Sequence, residues 1–316
     1  MLQMFTNAAR GGPGEAAPFE WMDLLNPTPD EITTIRERFG VEVPSREQLE
    51  EIEATSRLRI DGKTLYLSTP LITGKPAERG RMTPAGFILQ AELCITVRFA
   101  DLTAFDAVIA EAEAAPGLGA IEVFTRLLEE VVDRAADHLE HASAIVADSS
   151  GAIFFDDQVH GLSRKTAVLR TAMRTVGRAS DRSSRVRYEL LSVDRLVAFV
   201  IDRCQSEHFN FSIDRLQALR HDIASLDEFE ASLSDRIQLL QDAAAGFISI
   251  EQNEVVKVLT IASVVGVPPV LVVGVYGMNF KFMPELAWHF GYPFALLLCV
   301  ISAALPLIWF KWRGWL

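Results

Sequence analysis

Two charge-free apolar runs near the end of the chain restrict its architecture more than any other feature. From Val258 to Phe280 there is no charged residue, and from Phe290 to Phe310 there is none either. About 20 apolar residues cross the hydrocarbon core of a bilayer as a helix, so each run predicts a transmembrane helix. Lys281 to His289 is too short for a domain, which makes the pair a tight helical hairpin. A lone tail anchor would account for one run. It would not account for a hairpin whose first helix ends on a polar residue, Asn279.

The rest of the 316 residues must then supply a domain outside the membrane. The fold class expected is an α+β membrane protein: an N-terminal cytoplasmic α/β domain, then a long stalk helix continuing into the first of two C-terminal transmembrane helices. Residues 1–18 are rich in Ala, Gly and Pro and are expected to be disordered. The α/β domain is expected over 19–210, the stalk over 211–257, and the first membrane helix over 258–280. An external loop over 281–289, a second membrane helix over 290–310 and a basic, Trp-rich tail over 311–316 complete the chain.

Local signals support this division. Trp21 to Leu25 reads as a strand, and Thr28-Pro29-Asp30 as a helix start. Ser45 with Gln48 has capping-box spacing for a helix reaching Ala54. Leu58 to Leu67 reads as a hairpin turning at Asp61-Gly62, and Gly86 to Val97 as one or two further strands. Ile121 to Val146 and Leu190 to Ile201 carry apolar residues at helical spacing. From Phe211 no proline occurs before Pro268, and Leu233, Ile237, Leu240, Ala244 and Phe247 form an apolar seam. Such a stalk needs neighbours, which identical copies would provide.

Charge sets the orientation. Lys311 and Arg313 follow the second span beside Trp309, Trp312 and Trp315, so the positive-inside rule puts the C-terminus in the cytoplasm. Two spans place the N-terminal domain there too, with Lys281 and Glu285 outside. Met1 to Arg10 lacks the apolar core of a signal peptide. The net charge of −12 argues against a nucleic-acid partner. Cys94, Cys204 and Cys299 form no CxxC pair, so neither a disulfide framework nor a thiolate zinc site follows.

Walking back five residues from Asn279 to Gly274 and then at three-and-four spacing gives Val270, Val267, Ser263, Leu259, Val256 and Asn253. This face has polar ends and an apolar middle. Amide oxygens gathered from several copies of Asn279 would accept hydrogen bonds from the waters of a hydrated cation without displacing them. On position alone an Asn past a membrane helix is as readily a C-cap. The valines could equally face lipid or the second span, because periodicity does not separate the faces of an all-apolar helix. Pro268-Pro269 should loosen the helix in mid-span.

Tyr276-Gly277-Met278-Asn279, with Met283-Pro284-Glu285-Leu286, Gly291-Tyr292-Pro293 and Trp315-Leu316, resembles the CorA family of magnesium transporters. The likeness extends to Ala245 through Asn253, and more loosely to Trp21-Met22-Asp23-Leu24 and Glu51-Ile52-Glu53. It implies a homopentamer, a cytoplasmic funnel and a pore lined by the first span. It makes Gly277, Met278 and Asn279 the selectivity motif and Asn253 an inner ring. It also implies that intracellular Mg2+ closes the pore through acids between subunits, for which Asp214, Asp222, Asp227, Glu228 and Asp235 are unassigned candidates. Two positions depart from the pattern: Val270 stands where many members carry Thr, and Lys281 where many carry an acid.

The function expected is transport of hydrated Mg2+ into the cytoplasm across the inner membrane. The partners expected are the bilayer, divalent cations and further copies of the chain, with no cofactor. A zinc, cobalt or nickel carrier, with or without proton coupling, is the first alternative, and a non-conducting membrane-tethered sensor the second. Asp137, His138 and His141 have metal-ligand spacing but lack a third convergent ligand. No phosphate loop or nucleophile motif supports an enzyme.

Overall fold

The computed structural model describes residues 2–6, 20–51, 53, 57–114, 118–154, 162–203, 209, 211–279, 283–284 and 288–315. The chain divides into two compact units, one comprising residues 1–156 and 171–241, the other 157–170 and 242–316.

The first unit is built on a six-stranded sheet: β1 (Leu2–Thr6), β2 (Glu20–Leu25), β3 (Leu58–Asp61), β4 (Thr64–Ile72), β5 (Met82–Gln90) and β6 (Leu93–Arg98). Its order is β1-β2-β6-β5-β4-β3. All neighbours are antiparallel except β2 and β6, which run parallel with Trp21 opposite Cys94. The hairpin expected at Asp61-Gly62 is the β3–β4 turn, where Gly62 takes the positive φ of 59° that a tight turn favours. Helices α1 (Pro29–Phe39) and α2 (Arg46–Glu50) begin with complete capping boxes at Thr28/Glu31 and Ser45/Gln48. Helix α2 ends at Glu50, earlier than expected.

Strand residues alternate between two buried layers, as a period of two requires. Met22, Leu24, Tyr66, Ile88, Ile95 and Val97 pack with Ile35 of α1 and Leu49 of α2. Trp21, Leu65, Leu67, Phe87 and Cys94 face the other way, onto α3 (Thr103–Ala114), α4 (Ala120–Phe154), α5 (Leu162–Arg203) and the start of α6 (Ile213–Tyr276). The sheet is therefore covered on both sides.

Two expectations are corrected. Residues 2–6 are a strand: β1 pairs with β2 in antiparallel register, and Phe5 stacks on Trp21 at 4.7 Å between centroids. Ring packing and a full ladder order this segment despite the Ala/Gly/Pro-rich stretch after it. The seam on α6 also finds a neighbour within the chain along most of its length, although Phe247 at its end is 39% exposed. Leu233, Ile237 and Leu240 are buried in the single copy. Nearby, α5 and α6 are joined by Ser183 to Glu230 at 2.9 Å and Arg187 to Asp227 at 3.3 Å.

In the second unit, α6 continues without a break to Tyr276, and α7 (Gly291–Trp312) returns. Both helices are long and apolar enough to cross a membrane, and almost nothing in their apolar windows is buried. A core helix of a globular domain would be buried.

Candidate ion-conduction face

The helix that carries the candidate residues ends where Gly277 donates its N–H to Val273 O at 2.9 Å and Met278 to Val275 O at 3.3 Å. A Cβ on residue 277 would stand 3.1 Å from Val273 O, so glycine lets the last turn close. Asn279 follows immediately and is exposed. Met278 is 47% exposed, and most of the loop expected above it lies outside the described residues. Lys281 and Glu285 lie outside them as well.

Packing of the two spans selects one side of α6. Ile261, Val265, Pro268, Pro269, Val272 and Tyr276 are partly covered, and all lie within about 60° of one direction at 100° per residue. The contact is marked by the Cys299 thiol on α7, which points at Pro269 O. Lys257 extends the same side, with Nζ 5.9 Å from the Trp315 ring centre. On the opposite side, Val256, Leu259, Ser263, Val267, Val270 and Gly274 cluster within about 50° of the reverse direction, and all are exposed. Leu259 is 67% and Val270 71% accessible. Asn253 is exposed too, about 80° round from the centre of this face. The second span of the same chain therefore does not cover the predicted face.

Pro268 and Pro269 sit inside α6 and carry no N–H, so the carbonyls of Val264 and Val265 lose their ordinary donors. At the far end of α7, Lys311 and Arg313 are exposed, Arg313 lies over the Trp309 ring at 5.6 Å, and Phe310 stacks on Trp315 at 5.4 Å.

The remaining candidates separate. His138 is buried, with Nδ1 3.4 Å from an Arg182 guanidinium nitrogen. Burial, reinforced by that charge, pushes its pKa down to about 4. Its environment favours the neutral ring, and no third ligand joins it: among the described residues no group of three or more His, Cys, Asp or Glu side chains could hold a metal. Of the acids considered for regulation, Asp227 pairs with Arg187. Asp222 helps raise the pKa of Asp133, after burial and the charges of Glu130 and Asp137.

Sequence reading missed a buried polar network under α3. Arg98 Nε donates to Asp23 Oδ2 at 2.9 Å, Thr96 Oγ1 donates to Asp23 Oδ1 at 2.6 Å, and Trp21 Nε1 donates to Thr96 Oγ1 at 3.3 Å. Asp23 and Arg98 are far apart in sequence, and only the parallel β2–β6 pairing brings them together.

The whole chain can be set beside known proteins. The magnesium transport protein CorA of Salmonella typhimurium is 29% identical over 298 residues, 94% of this chain and 92% of that protein. That of Escherichia coli K12 shows the same identity and coverage. The complete structure of the CorA magnesium transporter from Methanocaldococcus jannaschii superposes with a TM-score of 0.75. That match has 16% identity and covers 96% of this chain and 93% of that one. The family model described as CorA-like Mg2+ transporter protein matches residues 16–312, and the chain belongs to that family.

Proposed function

We propose that copies of this chain assemble around an axis, as a homopentamer, and conduct hydrated Mg2+ inward across the inner membrane. The observation that carries this reading is the exposed face running from Val256 to Gly274, opposite the side that α7 covers and leading to Asn279. Gathered around an axis, the Asn279 amides form a neutral outer ring for an ion that keeps its water. Val256, Leu259 and Val267 form apolar constrictions that close by dewetting. Asn253 stands at the edge of the face on a straight helix. A left-handed supercoil at 3.5 residues per turn brings it onto the same line, as an inner ring.

The membrane potential supplies the drive, about 4.6 kcal/mol for a double charge at 100 mV. Cytoplasmic termini follow from Lys311 and Arg313, and closure by intracellular Mg2+ through acids of the first unit completes the scheme. The magnesium transport proteins that resemble the chain over nearly its whole length support this reading.

A second reading keeps the pore and changes the ion. It is favoured by the exposed, apolar Val270, where many members of the family carry a hydroxyl. Restoring that hydroxyl with Val270→Thr would then shift preference towards Mg2+ over Co2+ and Ni2+.

Thiol accessibility tests the face. With Cys94, Cys204 and Cys299 replaced by Ala, Ser263→Cys should make flux sensitive to a water-soluble thiol reagent. Val300→Cys, exposed on α7, should not. The reverse pattern sinks the reading.

A further inference from the structure

On the sheet face that carries α1 and α2, a cavity lies between α2 and strands β3 and β4. Gly86 of β5 lets α2 sit close to the sheet, since a Cβ there would stand 3.0 Å from Leu49 Cδ2. The cavity beside this contact measures about 480 Å³, a size typical of small-molecule sites.

Three guanidinium groups line it, from Arg36, Arg57 and Arg59. Arg57 is engaged, bonding Glu51 O and the Tyr188 hydroxyl. Arg36 and Arg59 have no carboxylate partner among the described residues. Arg59 lies over the Tyr66 ring at 4.1 Å, which holds the guanidinium by its face and leaves its N–H edge for a ligand. Tyr66 accepts the Glu42 N–H at 3.2 Å, so its own O–H remains to donate.

Ser68 gives a second, independent observation. It lies on the same face of β4 as Tyr66 and is only 6% exposed. Its hydroxyl lines the cavity without a hydrogen-bond partner among the described residues. The residue is enclosed but its hydroxyl still opens onto the cavity, where it can donate to or accept from a ligand. The donors outnumber what a carboxylate's two oxygens would use and suit a phosphate, which guanidinium forks recognise bidentately. Glu42 and Glu51 stand at the rim and call for donors elsewhere on the same molecule. Three arginines less two glutamates leave the cavity at +1, in a chain whose net charge is −12.

We propose that the cavity bounded by Arg36, Arg59, Tyr66 and Ser68 binds a small phosphorylated metabolite whose other end carries hydroxyl or amino groups. Calorimetry on the full chain in detergent, with EDTA and no divalent ion, tests this with ADP, inorganic phosphate and adenosine. ADP should saturate one site per chain, with phosphate and adenosine each much weaker. Arg36→Ala combined with Arg59→Gln should weaken ADP at least about tenfold, and Ser68→Ala should weaken it less. Arg203→Ala, at the end of α5, should change nothing. Both replaced arginines are exposed, and an unchanged melting temperature confirms that the double variant folds. Absence of saturation, saturation that survives the double substitution, or phosphate binding as tightly as ADP overturns the proposal. The readout does not depend on ion passage along α6.

Discussion

The Cys299 thiol of α7 donates to the main-chain oxygen of Pro269 on α6 at 3.9 Å. It thus ties the second span to the one turn of the first that lacks two backbone donors. A membrane helix keeps such a turn only where neighbours cover it. The turn is correspondingly a soft point of the helix that carries the proposed conduction face.

Replacing both Pro268 and Pro269 by Ala restores donors to the Val264 and Val265 carbonyls. The double variant is expected to melt higher in detergent, by about 1 kcal/mol or more, and to pass Mg2+ several-fold more slowly in liposomes. Unchanged or faster flux would show that opening does not bend the helix here.

The buried Asp23–Arg98 pair gives a prediction about the fold. Both side chains are almost wholly enclosed, at 1% and 5% accessibility. Burial raises the Asp23 pKa even though Arg98 and Thr96 act to lower it. Removing the cation alone leaves a buried carboxyl without its partner. Arg98→Met should therefore cost about 3–5 kcal/mol in denaturant unfolding, whereas Arg46→Met, which removes an exposed pair with Glu50, should cost less than about 1 kcal/mol.

Glu189 predicts a pH dependence. Its Oε1 accepts the Ile72 N–H at 3.0 Å, and its Oε2 has no partner among the described residues. Burial pushes its pKa up from 4.5 to about 8. The folded state thus holds a proton that the unfolded chain releases near 4.5. Stability from this site is full below pH 4.5 and is lost as pH rises through about 8. Glu189→Gln, which mimics the protonated acid, should flatten that decline and make the variant the more stable form at pH 8. An equal decline in both proteins, followed by thermal melts across this range, would contradict the assignment.

Local chemistry explains why parts of the molecule were legible before the structure. The capping boxes at Thr28 and Ser45, the Asp61-Gly62 turn and the proline-free run into α6 each depend on neighbours in sequence. Strand β1 was hidden because its ladder and the Phe5–Trp21 stacking come from a partner beyond the Ala/Gly/Pro stretch. The Asp23–Arg98 pair and the arginine-lined cavity were hidden for a related reason: each is assembled from elements distant in sequence. On α6, hydropathy could not distinguish one side from another. Asn253 and Asn279 suggest a register, but Asn253 lies about 80° from the centre of the face and Asn279 lies beyond the end of the helix. It is the packing of α7 on the other side that sets the face apart. The partner of the α6 seam was misjudged because apolar periodicity says that a face is covered, not by which chain.

The most direct test is Mg2+ flux into liposomes for Asn279→Ala beside the unaltered chain, with matched amounts of folded oligomer. The account predicts that the variant loses at least about tenfold in Mg2+ flux or in its discrimination against other cations, because the neutral outer ring is gone. A variant that conducts hydrated Mg2+ with unaltered rate and selectivity would contradict it.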